Sequence, residues 1–349
     1  MQSPWDYPDF DDHEVVHFVT DRASGLKAII AVHSTHLGPG AGGVRFWHYA
    51  DSAAAVSDAL RLSRGMSYKN AMAGLKLGGG KAVILADASR TKTPDMLAAY
   101  GKAVDRLGGA YVTAEDVGVT VADLVAVSKQ TKYVSGLPVA AGAVGGDPGP
   151  HTAYGVFLGV KAAVRRALDK DSLSGLHIAV QGAGSVASGL ARLAAQEGAR
   201  ISVADIDAAR AQSLASEVGG AVVDPASILS MEADVLSPCA LGAILTEESI
   251  AALRVPVVAG AANNQLATPA DGDRIHARGI LYAPDYVINA GGIINVASEY
   301  LGDADEAGVK AKIEQIPGRL ESIWEESAAT GRNPAAVADA MAQRLIGRA

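Results

Sequence analysis

Residues 177–207 read HIAVQGAGSVASGLARLAAQEGARISVADID, and this segment decides the predicted fold. An apolar strand leads into the pattern Gly182-x-Gly184-x-x-Ala187, and a helical segment follows directly. The first glycine permits a tight turn, the second lets the backbone approach a pyrophosphate, and the small third residue lets helix and strand pack closely. The free N–H groups at the helix N-terminus attract phosphate oxygens. The segment therefore predicts a dinucleotide-binding site.

An acidic residue follows at the spacing that such a site requires. A second strand ends at Asp205, about 20 residues after Gly182, where a carboxylate hydrogen-bonds the adenosine ribose. Because this carboxylate would repel a 2′-phosphate, NAD is favoured over NADP. The alternative is a glycine turn in another kind of α/β sheet, since the glycine pattern alone is a weak signal. The flanking strand, the helix and Asp205 together favour the dinucleotide site.

Strands and helices alternate on both sides of this segment. The predicted elements are residues 152–168, 176–181, 185–197, 201–205, 208–218, 233–236 and 255–259, with two further helices after residue 305. Because short apolar strands alternate with helices of about 10–15 residues, the sequence predicts a parallel, doubly wound sheet.

The N-terminal part of the chain is predicted to form a separate domain. Its predicted strands and helices are residues 13–20, 27–33, 51–64, 82–86, 93–107 and 111–114. Glycine and proline cluster at residues 135–150, which predicts a hinge. We therefore expect an α/β fold with two domains around a cleft: a substrate and catalytic domain at residues 1–138 and a Rossmann NAD-binding domain at residues 139–327. Helices at about residues 328–349 are expected to join the first domain.

Composition restricts the class of protein. A chain of 349 residues with 49% hydrophobic and 19% charged residues suits two globular domains. Its net charge of -8 argues against nucleic acid or an anionic membrane as a partner. The longest uncharged run, residues 172–191, contains too many polar residues to span a membrane, and the N-terminus has no signal-peptide pattern. The single cysteine, Cys239, excludes an internal disulfide and favours a reducing, cytoplasmic location.

Two lysines lie in an apolar, glycine-rich context. Residues 66–84 read MSYKNAMAGLKLGGGKAVI and contain Lys69 and Lys81. One ammonium group can hold a substrate carboxylate, and a desolvated one near another cation can have its pKa lowered from about 10.4 toward 7–8 and act as a base. Asp116 could then carry protons to and from the reacting centre. The alternative is that both lysines are surface charges on loops.

Two other kinds of site are disfavoured. The GGGK run at residues 78–81 resembles a phosphate-binding loop, but that motif needs Gly at position 75 and Ser or Thr at position 82, where this chain has Leu75 and Ala82. A metal site is also not expected, because His33 and His36 are the closest histidine pair and no HExxH motif occurs.

Several long motifs resemble one family of enzymes. They are GPGAGGVR at residues 38–45, MSYKNAMAGLKLGGGKAVI at 66–84, TAEDVG at 113–118, GAANNQL at 260–266 and YAPDYVINAGGIINVASE at 282–299. Together with the glycine loop, they make the chain similar to the glutamate/leucine/phenylalanine/valine dehydrogenases, and most similar to the leucine/phenylalanine/valine branch. The resemblance covers nearly the whole chain and implies a homo-oligomer that uses NAD.

The resemblance also implies residue roles. Lys69 would bind the substrate α-carboxylate, Lys81 would act as the base that activates water, and Asp116 would carry protons to and from nitrogen. The other implied substrate residues are Ala41, Gly42, Gly43, Met66, Ala114, Asn264, Asn289, Ile293 and Val296. The implied cofactor residues are Thr152, Gly182, Gly184, Ser185, Val186, Ala187, Asp205, Ile206, Cys239, Ala240 and Asn264.

The implied reaction is the reversible oxidative deamination of an apolar L-amino acid to a 2-oxo acid and ammonia. Glutamate is disfavoured, because similar glutamate enzymes carry a lysine at the position of Ala41 and a serine at that of Val296. An unpaired γ-carboxylate in an apolar pocket would cost several kcal/mol. Glutamate dehydrogenase and a non-catalytic NAD-binding sensor remain the alternatives, and pocket residues could equally be ordinary core. Lys76, where relatives carry a neutral residue, is predicted to be a solvated loop charge.

Overall fold

The structure is a computed structural model that describes residues 4–89, 91–138 and 144–348. Residues 139–143 of the predicted hinge lie outside the described residues. The chain divides into two compact units, each with its own sheet, so the two-domain α/β fold is confirmed. Unit 1 comprises Met1–Gly146, Val296–Glu306 and Ala342–Ala349, and unit 2 comprises Asp147–Asn295 and Ala307–Met341.

These units differ from the expected domains near the C-terminus. Val296–Glu306, expected in the NAD-binding domain, belongs to unit 1, and of the C-terminal helical region only Ala342–Ala349 does so. Hydrogen bonds within unit 1 explain both assignments. The Glu299 carboxylate accepts the N–H of Gly136 at 3.2 Å, and Arg348 donates to the backbone carbonyls of Asp11, Asp12 and His33. A sequence pattern does not reveal such distant contacts.

Unit 1 is built on a mixed sheet. Its elements are β1 (Val15–Asp21), β2 (Leu26–Ser34), β3 (Gly40–Trp47), α1 (Ser52–Met72), β4 (Gly78–Leu85), α2 (Pro94–Arg106), β5 (Tyr111–Ala114) and α3 (Val121–Ser128). Over the described residues the strand order is β1-β2-β4-β3-β5, and β3 runs parallel to both β4 and β5. The central strands β2 and β4 are buried along nearly their whole length.

Helix α1 begins as predicted but extends further. Asp51 accepts a backbone N–H at 2.8 Å and caps the N-terminus. Gly65 disfavours helix, which is why the sequence predicts an end at residue 64. That end is wrong: the helix continues to Met72, because most residues of this last part are buried and α1 packs against β4. Lys69 consequently lies in the last helical turn and not in a loop.

Strand β4 begins earlier than predicted. Gly78 pairs with Gly40 and Gly79 with Ala41 of the parallel strand β3. Glycine has a low strand propensity, so the sequence predicts a start only at residue 82. Pairing on both sides overrides that propensity, and the GGGK run is part of a sheet instead of a phosphate-binding loop.

Unit 2 contains the remaining helices and strands, except that α10 and α13 extend into unit 1 and α11 begins there with Glu306. They are α4 (Gly149–Leu168), β6 (His177–Gln181), α5 (Ser185–Gln196), β7 (Arg200–Ala204), α6 (Ala208–Val218), β8 (Ala221–Val222), β9 (Val235–Pro238), α7 (Glu247–Ala252), β10 (Val257–Val258), α8 (Pro269–Ala277), β11 (Leu281–Tyr282), α9 (Asp285–Ile288), α10 (Gly291–Leu301), α11 (Glu306–Ile313), α12 (Ile316–Thr330) and α13 (Pro334–Leu345).

The sheet of unit 2 is parallel throughout its described strands, in the order β11-β10-β9-β6-β7-β8. This order is that of a Rossmann sheet, and it confirms the doubly wound prediction. The order reverses between β6 and β9, which creates a switch point at the carboxyl ends of these strands. Ligands of open α/β sheets bind at such points.

The C-terminal region differs from the prediction of two helices after residue 305. Among the described residues it forms three: α11, α12 and α13. Pro317 stands in the first turn of α12, and Gly331, with φ +71°, ends that helix. The Asn333 side chain then accepts the N–H of Ala336 at 2.9 Å and starts α13. No helix in the described ranges is long and apolar enough to cross a membrane.

Candidate active site

The structure brings Lys81 and Asp116 together in unit 1. Lys81 projects from β4 and is only 7% exposed, and Asp116 follows β5 by two residues. The Lys81 ammonium forms an ion pair with Asp116 Oδ2. The burial and the ion pair of Lys81 argue against the alternative in which this lysine is a surface charge on a loop.

Burial changes the proton affinity of both groups. Desolvation lowers the pKa of Lys81, and the neighbouring Asp116 carboxylate offsets only part of that effect. Burial alone would raise the pKa of Asp116, but the Lys81 ammonium and the Arg45 guanidinium outweigh it and lower the pKa below its usual value. Lys81 is therefore a cation that can release its proton more readily than an exposed lysine, beside a carboxylate that stays ionised.

The glycines Gly42 and Gly43, whose backbone carries no side chain, lie next to this pair. Gly43 pairs with Ala114 across β3 and β5, and a Cβ on Gly43 would lie 2.8 Å from the Cβ of Asp116. A Cβ on Gly42 would lie 3.0 Å from Met66 Cγ. The structure thus places two further predicted substrate residues, Met66 and Ala114, beside the backbone of Gly42 and Gly43. This side-chain-free backbone is called the bare backbone below.

The structure also gives the burial and the element of the other predicted residues of unit 1. Lys69 is partly buried and follows Met66 by three residues on α1, which places both on one helix face. Ala41 is buried in β3. Val296 is partly exposed on α10. Lys76 is exposed in the loop before β4, which confirms the prediction of a solvated charge.

Sequence reasoning missed two charged residues behind Asp116. Arg45 Nε lies 3.4 Å from Asp116 Oδ2, and its Nη1 donates to Asp58 Oδ2 at 2.8 Å. Arg45 belongs to the GPGAGGVR motif, so an arginine in an otherwise glycine-rich and apolar strand was an available signal. Asp58 lies on α1, and nothing in the local sequence relates it to Asp116.

We expect Gly42→Ala to lower the free energy of unfolding by about 1–3 kcal/mol, because the added Cβ would overlap the Gly80 carbonyl oxygen and press on Met66. Urea unfolding measures this change. Gly65→Ala is the matched control: its Cβ meets nothing within 4 Å, and in a helix it is expected to stabilise by about 0.5–1 kcal/mol. Equal effects of the two variants would contradict the close backbone approach.

In unit 2, the predicted glycine loop lies at the switch point. Gly182 follows β6 with φ +105°, and a Cβ there would lie 3.1 Å from the Cβ of Ala240. The Cys239 N–H donates to the Gln181 carbonyl at 2.8 Å, which fixes the two strand ends side by side. Burial raises the pKa of the Cys239 thiol, so it stays protonated at neutral pH. The loop and the predicted Cys239–Ala240 segment are therefore adjacent.

The start of α5 fits a phosphate group. Gly184 is the N-cap residue and supplies no side-chain hydrogen bond to the first-turn N–H groups, which belong to Ser185, Val186 and Ala187. A Cβ added to Gly184 would meet nothing within 4 Å, so space lies open beside the helix N-terminus. Ala187 is buried, as expected of the small packing residue. This arrangement matches the pyrophosphate cradle of a dinucleotide.

The acidic residue is held beside the same loop. Asp205 accepts the N–H of Ala183 at 2.7 Å through Oδ2 and the N–H of Asp207 at 2.8 Å through Oδ1. Ile206 directly after it is 93% exposed, which leaves an apolar side chain in solvent beside the carboxylate. These residues could hold the ribose and the adenine ring of a dinucleotide.

The next predicted residue of unit 2, Thr152, packs against the segment that follows Asn289. Thr152 lies in the first turn of α4 and donates to the Pro148 carbonyl at 2.9 Å. It does not open the helix as predicted, because α4 begins at Gly149. A Cβ on Gly292 would lie 2.5 Å from Thr152 Oγ1, so the segment after Asn289 packs on this turn.

Asn289 organises the loop that carries Asn264. Its side-chain amide donates to the Ala261 carbonyl at 2.9 Å and to Asn263 Oδ1 at 2.7 Å. Asn264 itself is exposed, with φ +52°, a left-handed conformation that asparagine tolerates. Sequence reasoning missed Gln265, which is fully buried and donates to two carbonyls of the same loop at 2.9 Å.

Ile293 and Val296 lie three residues apart on α10 and are both partly exposed, with Ile293 in unit 2 and Val296 in unit 1. Across the described ranges no group of three or more His, Cys, Asp or Glu side chains could hold a metal ion. His33, which belongs to the closest histidine pair in the sequence, contacts Ser67 and Asp11.

Comparison with known proteins gives consistent matches. The family model described as Glu/Leu/Phe/Val dehydrogenase, dimerisation domain, matches residues 13–133, and that described as Glutamate/Leucine/Phenylalanine/Valine dehydrogenase matches residues 147–211 and 202–345. A leucine dehydrogenase of Bacillus subtilis is 49% identical over 97% of this chain and 92% of its own length. A valine dehydrogenase of Streptomyces albus is 44% identical over 98% and 94%. The crystal structure of L-tryptophan dehydrogenase from Nostoc punctiforme has a TM-score of 0.86 and 41% identity and covers 96% of both chains.

Proposed function

Since this chain belongs to the Glu/Leu/Phe/Val dehydrogenase family, and is thereby an amino-acid dehydrogenase, we propose that it catalyses the NAD-dependent, reversible oxidative deamination of an apolar L-amino acid to the 2-oxo acid and ammonia. One observation carries the chemical part of this proposal: the buried Lys81–Asp116 ion pair beside the bare backbone of Gly42 and Gly43.

Each residue of this group has one task in the proposed reaction. Lys69 keeps its charge and holds the α-carboxylate. NAD, when bound, accepts the hydride that leaves Cα. Lys81 takes a proton from water, which adds to the resulting imino carbon. Asp116 takes a proton from the substrate ammonium group before hydride transfer and returns it to nitrogen after water has added. The hydroxyl group then loses its proton to solvent as the C–N bond breaks, which releases ammonia and the 2-oxo acid.

The arrangement of unit 2 supports NAD as the cofactor. Gly182 and Gly184 would admit the pyrophosphate to the N-terminus of α5, and Asp205 would accept a ribose hydroxyl. Ile206 and Ala240 would contact the adenine end, and Thr152 and Asn264 the nicotinamide end. The fixed negative charge of Asp205 disfavours NADP.

The residues predicted to line the side-chain pocket support an apolar substrate. Ala41, Met66, Ala114, Ile293 and Val296 carry no charge that could pair with a γ-carboxylate. Relatives named leucine, valine and L-tryptophan dehydrogenase also act, by their names, on apolar amino acids of different sizes. The proposal therefore extends to the apolar class and not to one amino acid.

The direct test follows NADH formation with a panel of L-amino acids: leucine, valine, phenylalanine and glutamate. We expect turnover with at least one apolar amino acid and little with glutamate. Turnover with glutamate alone would overturn the pocket argument. Absence of turnover with every amino acid, in a protein that binds NAD, would favour the non-catalytic sensor.

We expect Asp205→Ser to raise the KM for NAD by about 10–100-fold, since a charged hydrogen bond contributes about 1.5–3 kcal/mol. The KM for NADP is expected to fall, because the repulsion of its 2′-phosphate disappears. Steady-state kinetics with both cofactors measures the change, and Asp171→Ser, at an exposed residue remote from the glycine loop in sequence, is the control. An unchanged ratio of the two KM values would remove Asp205 from the ribose site.

We also propose that the protein forms a homo-oligomer and that it is located in the cytoplasm. The description of residues 13–133 as a dimerisation domain supports self-association, and the single cysteine suits a reducing compartment. Light scattering after size-exclusion chromatography gives the mass in solution, and a monomer would contradict the first part.

A further inference from the structure

We propose that Arg45 is a positioning residue for the reaction: it holds Asp116 in place and, with Asp58 behind it, sets the pH at which Lys81 becomes a base. This inference rests on the proposed function, because it concerns the same proton transfers. It adds Arg45 and Asp58 to the residues that act on these transfers.

The geometry places both cations on one carboxylate oxygen. The Lys81 ammonium and, at 3.4 Å, Arg45 Nε both approach Oδ2 of Asp116. With Oδ2 engaged in this way, the proton that Asp116 exchanges with the substrate nitrogen falls on Oδ1. Arg45 Nε forms an ion pair with Oδ2 but no hydrogen bond, so Arg45 acts on the carboxylate through its charge.

Asp58 holds Arg45 from α1. Arg45 Nη1 donates to Asp58 Oδ2 at 2.8 Å, and the hydroxyl of Tyr49 donates to the same oxygen at 2.8 Å. Arg61 Nη2 donates to Asp58 Oδ1 at 3.1 Å. Both carboxylates are largely buried, with side-chain exposures of 13% for Asp58 and 19% for Asp116. The result is a row of alternating charges: Lys81, Asp116, Arg45 and Asp58.

Two tyrosines beside this row stay uncharged at neutral pH. Tyr111 on β5 donates its hydroxyl to the Gly42 carbonyl at 2.7 Å, and burial raises its pKa. Burial and the hydrogen bond to Asp58 likewise raise the pKa of Tyr49. Glu115 is exposed. Arg45 and Asp58 are therefore the charges that act on the pair in opposite directions.

The direction of each effect follows from charge. Lys81 must lose its proton to act as base, so kcat/KM for amino-acid oxidation rises as the pH passes the pKa of Lys81. The Arg45 cation favours that loss, and the Asp58 anion opposes it. Removing either charge moves the rising limb of the pH profile, in opposite directions for the two residues.

The experiment compares pH profiles of kcat/KM for Arg45→Gln, Arg45→Lys and Asp58→Asn with the wild type, using its best amino acid and saturating NAD. We expect Arg45→Gln to move the rising limb to higher pH by about one pH unit. At pH values below the limb, kcat/KM is then about tenfold lower than in the wild type, and at pH values above the limb the difference disappears. Arg45→Lys is expected to restore most of the shift, and Asp58→Asn to move the limb to lower pH. Arg192→Gln, which breaks an exposed ion pair in unit 2, is the control with an unchanged profile.

Each outcome decides the inference. Equal losses at every pH, or an unmoved limb in both Arg45→Gln and Asp58→Asn, would mean that Arg45 has a merely structural role. If Arg45→Gln does not fold, the limb of Asp58→Asn and its direction decide. A wild type without amino-acid turnover would instead refute the proposed function itself, before any variant is compared.

Discussion

We expect Lys81→Ala to lower kcat by about 10²–10⁴-fold, whereas the Kd for NAD stays unchanged. The physical reason is that the variant lacks the amine that takes a proton from water in the proposed reaction. Lys81 is buried, ion-paired with Asp116 and lowered in pKa, and alanine removes the base without altering unit 2. Steady-state kinetics gives kcat, and fluorescence titration gives the Kd.

The matched control for this variant is Lys76→Ala. Lys76 lies five residues earlier in the chain and is exposed, so its removal is expected to leave kcat unchanged. Lys81→Met removes the charge while filling the space, and it separates loss of the base from formation of a cavity. Near-wild-type turnover in both Lys81 variants would remove Lys81 from the catalytic role.

Asp116→Asn is expected to lower kcat by a similar factor, about 10²–10⁴-fold. Asparagine keeps the size of the side chain but cannot take up and release a proton, so the substrate nitrogen loses its proton carrier. It also leaves the ammonium of Lys81 and the guanidinium of Arg45 without the anion between them. The same kinetic assay measures the loss.

Glu115→Gln provides the control for Asp116→Asn, because Glu115 is the preceding residue and is exposed. We expect it to leave kcat unchanged. If Asp116→Asn retained the turnover of Glu115→Gln, Asp116 would be a structural counter-ion of Lys81 and not a proton carrier.

The fold of unit 2 was predictable because its signal is local. The turn at Gly182, the helix after Gly184 and the acidic end of the next strand all fall within residues 177–207. The structure reproduces this order, with α5 at Ser185–Gln196 and Asp205 hydrogen-bonded to the loop. The residues that carry this signal are therefore neighbours both in the sequence and in the structure.

The contacts of unit 1 were less predictable because the residues that make them are distant in sequence. Propensity ended α1 at Gly65, but burial against β4 extends it to Met72 and moves Lys69 into a helix. The roles of Lys81 and Asp116 came from family resemblance, since no local rule joins β4 to the loop after β5. The link from Arg45 to Asp58 had no sequence signal beyond an arginine in an apolar strand.

One measurement tests the central claim most directly. The protein is incubated with NAD and its best apolar L-amino acid carrying deuterium at Cα, and the reduced cofactor is analysed by mass spectrometry. We predict that the NADH carries one deuterium and that the 2-oxo acid carries none at that carbon. NADH without deuterium, or release of the label to water, would contradict direct hydride transfer from Cα and with it the proposed dehydrogenase reaction.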